Sequence, residues 1–373
     1  MFKSIRIHGY KSISSLEIHK IPDVLLVGGC NNSGKSTFLE AIFLFLDRMN
    51  PDMLTRHFYW RGINVVALDP EHWWKPSFHN YDFNKPIEIS LKDSRDNWHK
   101  FSIAYDPNFS TSDMQLLAGV QQRQVPGQRS NQDSPQLLSP TKSAVPAKAL
   151  KITEEVGGKV VQDSFITIQP NQMPVMKAIK NDGMVIPGIF LSSTSRTLPQ
   201  EDAMRYGQLD LQNKSSVVLD ILRLIEPRIR DLSVISLNDG AIIHCTLEGL
   251  PRKVPVSLMG DGVSRTLSIV LAILTTENGI VLIDEVENGI HHSKLQDLWS
   301  AIHTAARSAK CQIISTTHSY ECLAAASKAA SACNDLSFGY IRLQRRNSSA
   351  EIQAIKYEQD ELMTALDAEL EVR

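Results

Sequence analysis

The chain has 373 residues, 42% hydrophobic and 21% charged, with a formal net charge of -2, which suits one large or two modest soluble globular domains. That near-neutral balance neither demands nor excludes nucleic acid, because a local basic groove survives inside a neutral total. No apolar run reaches the length of a membrane span, and the five scattered cysteines (Cys30, Cys245, Cys311, Cys322, Cys333) form no C-x-x-C pair, so a cytoplasmic protein with no membrane partner is expected.

Met1–Ser4 leads into an alternating pattern rather than an apolar leader, and residues 2–19 predict two short strands around Gly9-Tyr10-Lys11-Ser12. Val24–Val27 predicts a buried strand that ends at Gly28-Gly29. A helix is expected from Lys35 to about Asp47, with Leu39, Ile42, Phe43 and Leu46 on its buried face. The character then changes. Phe58-Tyr59-Trp60 and His72-Trp73-Trp74 are either a partner surface or core packing. Ile87–Leu91 and Trp98–Tyr105 predict a hairpin. Residues 121–150 are rich in Gln, Ser and Pro, with four basic side chains and one acidic, and read as a mobile insert. Its charge suits a phosphate backbone or simply a solvated loop.

Order returns with strands at Ser164–Ile168 and Gly188–Ser192, a helix at Val217–Ile225, and a hairpin around Asn238-Asp239-Gly240. From 256 to 343 helices and strands alternate, the mark of a parallel α/β core. A strand at Glu351–Ile355 and a helix near Glu361–Leu370 follow. The expected organisation is a single α/β domain. Residues 1–50 and 200–373 form the nucleotide-binding core, and 51–199 form an inserted β/irregular lobe with its flexible segment at 121–150.

Gly29-Cys30-Asn31-Asn32-Ser33-Gly34-Lys35-Ser36 fits G-x-x-x-x-G-K-[ST] at every fixed position. The glycines let the backbone curl its N–H groups inward onto phosphate oxygens, and the following helix adds its positive end. Gly29, Asn31, Asn32, Ser33, Gly34, Lys35, Ser36 and Thr37 are therefore expected to hold ATP. Lys35 is expected on the β- and γ-phosphates and Ser36 on Mg²⁺. The apolar run Ile280–Ile283 delivers Asp284 and Glu285 to a strand's carboxyl end, where ligands of open α/β sheets bind. Asp284 is expected to hold Mg²⁺ through water and Glu285 to polarise the attacking water. Gln312–Thr316 predicts a third strand, ending in Thr317-His318-Ser319; His318 there is either a γ-phosphate contact or a solvated histidine. His291-His292 has no third ligand at a recognisable metal spacing.

The order of P-loop, signature turn, Asp-Glu and strand-end His resembles the ABC ATPases, and among them the SMC, RecF and OLD-like branch. Ile5–Ser12 is similar to that branch's opening strand and turn. Ser257-Leu258-Met259-Gly260-Asp261-Gly262 sits before an apolar helix and resembles the ABC signature, although the usual signature is richer in glycine and here Asp261 stands in the turn. The resemblance implies that Ser257 and Gly260 bind the γ-phosphate of a nucleotide held by a second copy, and that Val286–His291 is the D-loop. No motif fixes a Q-loop glutamine; Gln169 and Gln172 lie in suitable territory, and Arg196 is either near the nucleotide or on the surface.

No long coiled coil interrupts the pattern, unlike SMC proteins. About thirty residues follow the 336–343 strand, too few for the nuclease module of OLD proteins. The Gly260-Asp261-Gly262 turn and the terminal Glu369–Arg373 are similar to stand-alone OLD-like ATPases of two-gene phage-defence cassettes such as Septu, PARIS or AbiL-like systems. The resemblance implies an ATP-hydrolysing switch that dimerises around ATP and controls a separate effector, a nuclease (Toprim or HNH) or a toxin. The alternatives are a RecF-like repair ATPase that binds DNA and an ATP-binding scaffold with little turnover.

Overall fold

The computed structural model describes residues 1–63, 70–109, 147–167, 175–183, 185–237, 240–333, 337–346, 351–368, 370 and 372. Two sheets carry the architecture. The first is an antiparallel lobe of seven strands: β1 (Phe2–Tyr10), β2 (Ile13–His19), β4 (Ile87–Asp93), β5 (Trp98–Phe109), β6 (Ala147–Val156), β7 (Lys159–Thr167) and β8 (Val175–Asn181), in the order β2-β1-β4-β5-β6-β7-β8. The second has the order β16-β15-β3-β14-β13-β9, from β3 (Val24–Gly28), β9 (Gly188–Leu191), β13 (Ile280–Ile283), β14 (Gln312–Thr316), β15 (Phe338–Arg345) and β16 (Ile352–Tyr357). Every pairing in it is parallel except β15 with β16.

The central strands β3, β14 and β13 are buried on both faces because both faces are covered. Val24 and Leu26 of β3 point into a core with the helices α2 (Pro199–Leu211), α3 (Ser215–Leu222), α4 (Asp261–Thr275), α5 (Leu295–Ala309) and α6 (Tyr320–Ala332). Leu25 and Val27 point the other way, into a core shared with α1 (Lys35–Leu46) and the antiparallel lobe. A small three-stranded sheet, β10 (Ile229–Leu237), β11 (Gly240–Leu247) and β12 (Val254–Pro255), leads to the signature turn, and α7 (Gln359–Asp367) packs beside α6 and β15.

Buried polar contacts lock lobe to core. Gln312 of β14 accepts from Phe2 N and donates to Phe2 O and Pro22 O, each at 2.9 Å. Arg48, just after α1, forks onto Glu154 of β6 at 2.7 and 3.0 Å, with both side chains essentially sealed (1% and 0% exposed). Glu40 of α1 is gripped by Lys11, from the opening turn, and by Arg61, each at 2.7 Å. The P-loop helix is thus clamped to the antiparallel lobe, and the lobe to β14.

The expected split at 51–199 does not follow the sheets. β1 and β2 belong to the antiparallel lobe, and β9 is the edge strand of the parallel sheet. Sheet membership depends on long-range pairing, which hydrophobic period alone does not encode. The insert expected at 121–150 lies outside the described residues up to 146, and residues 147–150 begin β6. Gln169 and Gln172 also lie outside the described residues. The aromatic stretch is largely packing: Trp74 is buried, Trp60 meets Phe190 at 4.5 Å and Phe43 at 5.3 Å between ring centroids, and Phe58 meets Trp73 at 4.9 Å.

Candidate active site

Four parallel strands end side by side, and each end carries a polar residue. β3 opens into the P-loop, β13 into Asp284-Glu285, β14 into Thr317-His318, and β9 into Ser192-Ser193. The P-loop backbone alternates into left-handed geometry at Gly29 (φ 139), Asn32 (φ 61) and Gly34 (φ 97). A side chain is excluded by backbone at Gly29; at Gly34 it is strained by the positive φ and would have to push the Ile352 side chain aside. A Cβ on Gly29 would stand 2.3 Å from Leu343 O, and one on Gly34 2.5 Å from Ile352 Cδ1. Such a curl turns successive N–H groups to one side, a concavity for an anion. The Ser33 hydroxyl is buried there without a partner. Asn31 and Asn32 are exposed, and Asn32 O accepts from Arg345 Nε at 2.9 Å.

Lys35 is buried, and its ammonium donates to Gly29 O at 2.6 Å and Cys30 O at 3.0 Å, across the mouth of the loop. Burial lowers its pKa, while the charges of Asp284 and Glu285 pull it back up. Ser36 and Thr37 lie in the first turn of α1, where N–H groups lack intrahelical partners.

Asp284 is the hub. Ser36 Oγ lies 3.1 and 3.0 Å from its two carboxylate oxygens, Ser193 Oγ donates to Oδ2 at 2.9 Å, and Thr316 Oγ1 donates to Oδ1 at 2.7 Å. This set of hard oxygens, completed by phosphate and water, fits magnesium, which when bound would offset phosphate charge. Among the described residues no group of three or more His, Cys, Asp or Glu side chains forms a metal site on its own. Glu285 follows in left-handed backbone (φ 47), with its N–H held by Thr316 Oγ1 at 2.8 Å and its side chain half-buried. A non-glycine residue in that region is strained, and such strain clusters at functional sites.

His318 is 52% exposed and is held by Glu287: Nδ1 lies 3.1 Å from Oε1, which also accepts from His318 N at 3.0 Å and Thr317 Oγ1 at 2.8 Å. This joins the D-loop stretch to the turn after β14.

Ser257 and Gly260 are exposed, and Gly260 caps α4. Arg196 stands 82% exposed and forks onto Asp261 at 3.0 and 2.8 Å, tying the loop after β9 to the first residue of α4. Asp261, the departure from a glycine-rich signature, thus has a partner. His291 caps the short turn at His292–Lys294.

The structure brings Lys35, Ser36, Asp284, Glu285 and the P-loop together, while Ser257 lies in the short turn Val256–Leu258 and Gly260 caps α4. Ser193 and Thr316 were missed in the sequence. Their only local signal is a hydroxyl at the end of an apolar strand.

A family profile described as "AAA ATPase domain" matches residues 1–187, half of the chain. The chain belongs to the AAA ATPase domain family. A second profile, described as "AAA domain, putative AbiEii toxin, Type IV TA system", matches residues 197–324, which hold the signature turn, Asp284, Glu285 and His318. A curated relative from Helicobacter pylori, an ATP/GTP phosphatase, is 23% identical over 335 residues, covering 86% of each chain. The SmcHead bound to the C-winged helix domain of ScpA superposes with a TM-score of 0.50 at 12% identity, covering 97% of this chain and 99% of that one. The SMC head domain from Thermotoga maritima gives 0.44 at 12% identity over 96% and 99%. The fold of this AAA ATPase is that of an ABC/SMC-like head. No helix among the described residues is long and apolar enough to cross a membrane.

Proposed function

We propose that this ATPase binds ATP with Mg²⁺, closes a two-fold dimer around it, and uses hydrolysis to switch a separate effector, a nuclease or toxin, in anti-phage defence. The observation that carries the enzymatic part is the convergence of Ser36, Ser193 and Thr316 on Asp284, beside Glu285 and the P-loop. Lys35 and the P-loop N–H groups bind and orient the phosphates. Ser36 and Asp284 would hold the metal. Glu285 orients the attacking water, and His318, its ring fixed by Glu287, faces the terminal phosphate.

The dimer is supported by the signature turn. Ser257 and Gly260 are exposed, with Leu258 beside them 75% exposed. These phosphate-binding groups and this apolar side chain have a use when a second copy presents its P-loop. The effector part is supported by the match to the profile described with a toxin.

The test is sedimentation with and without a non-hydrolysable ATP analogue, alongside an ATPase assay. A nucleotide-dependent shift from monomer to dimer and a measurable turnover are expected. Turnover without self-association would remove the shared site. For the defence role, cells carrying the chain with its neighbouring gene should resist a phage panel and lose resistance with Lys35→Ala; no resistance in the parent removes that role.

A further inference from the structure

Arg265 lies on the second turn of α4, and its Nε and Nη2 are buried without a hydrogen-bond partner. Unpaired donor atoms closed off from water on a partly buried cation are costly and need an explanation. Burial pulls the guanidinium's pKa down, while Asp284 and Asp202 are near enough to pull it up, yet neither accepts a hydrogen bond from it. The side chain borders a cavity of about 120 Å³ lined by Ser195, Arg196, Asp261, Ser264 and Asn288 among others. That is room for several waters at roughly 30 Å³ each, or for one tetrahedral anion. The Asp261 carboxylate, the acid on the wall, is already taken up by Arg196. The cavity reaches the catalytic hub through Ser193, another of its lining residues, which donates to Asp284.

We propose that this cavity is an oxyanion site that takes a tetrahedral phosphoryl group, with Arg265 as its principal donor and the hydroxyls of Ser195 and Ser264 beside it. It is distinct from the chain's own P-loop cradle, since none of its lining residues belongs to the P-loop, although its wall residue Ser193 and Ser36 of the P-loop helix meet the same carboxylate oxygen of Asp284. The head of α4 adds its partial positive charge. Two sources supply the same chemistry: free orthophosphate, or the terminal phosphate of a nucleotide held by a second copy. The second source rests on the shared-site reading above; the first does not.

The experiment has two arms. In the first, inorganic phosphate is titrated calorimetrically into Lys35→Ala chains, which removes the P-loop as a competing site, with and without Arg265→Gln. In the second, self-association driven by a non-hydrolysable ATP analogue is compared between the parent and Arg265→Gln. A charge-assisted contact predicts weakening of about ten-fold or more where the phosphoryl group binds. Weakening in the first arm assigns free phosphate, and weakening in the second alone assigns the nucleotide's terminal phosphate. If neither arm responds, the site does not exist and the orphaned donors hold only water. Should Arg265→Gln fail to fold, Arg265→Lys and Ser264→Val carry the same comparison, and unchanged affinities in both would overturn the proposal. A parent that hydrolyses no ATP would sink the ATPase cycle while leaving the phosphate arm standing.

Discussion

Ser36 Oγ lies 3.0 Å from Oδ2 of Asp284, across 248 residues of sequence. The contact joins the first turn of the P-loop helix to the end of β13, and every functional expectation depends on that junction. It sets a hydroxyl and a carboxylate side by side, one residue from Glu285 and one from Lys35.

Lys35→Ala should abolish ATP binding or weaken it at least ten-fold, since it removes a charge-assisted donor from the phosphates. The fold should persist, because the Lys35 ammonium bonds only the carbonyls of its own loop. Fluorescent-nucleotide titration beside circular dichroism checks both halves. Parent-like affinity would refute the P-loop assignment.

Glu285→Gln should cut turnover by about 10²–10⁴-fold, the usual scale for losing a group that handles the water's proton, while ATP binding stays. The backbone contact from Glu285 N to Thr316 Oγ1 survives the substitution. Loss of binding together with turnover would give Glu285 a metal-holding or structural role.

The site motifs were legible in the sequence because each is local. The P-loop, the Asp284-Glu285 pair after four apolar residues and the His318 turn can each be read from one window. Ser193 and Thr316 were not, because they reach Asp284 from 91 and 32 residues away. α2 was also missed. Its buried face, Ala203, Tyr206 and Leu209, is diluted by Glu201, Asp202, Arg205 and Asp210, and its one strong sign was Pro199 at the first helical position. The lobe's makeup, with β1 and β2 on one sheet and β9 on the other, is set by tertiary pairing rather than by any pattern in those strands.

Asp202 gives a pH signature. Burial lifts its pKa to about 6, against the Ser268 hydrogen bond at 2.5 Å and the attraction of Arg205. The folded value exceeds the unfolded value of about 3.9, so the folded state binds the proton more tightly. Its penalty is therefore fully present above about pH 6 and is relieved as pH falls toward about 4. Asp47, likewise lifted by burial to about 6, acts in the same direction. Asp202→Asn should stabilise the protein at pH 7 by up to about 3 kcal/mol, about two pKa units, and by much less at pH 4. Urea unfolding at both pH values reads this, and an Asn variant weaker than the parent at pH 7 contradicts it.

Glu154→Gln should destabilise by about 3–5 kcal/mol, because it strands the sealed Arg48 guanidinium without its countercharge. Lobe and P-loop helix lose their buried clamp, so the urea midpoint should fall. A change under about 1 kcal/mol would show that the pair is solvated in solution.

Complementation in trans tests the shared site most directly. Lys35→Ala spoils the P-loop half of a site, and Ser257→Arg spoils the signature half. Each chain should be inactive alone. In a mixed dimer one composite site keeps both good halves, so ATPase activity should return on mixing. If the mixture stays inactive although mixed dimers form, or if Ser257→Arg alone hydrolyses ATP like the parent, the nucleotide is not shared between two copies.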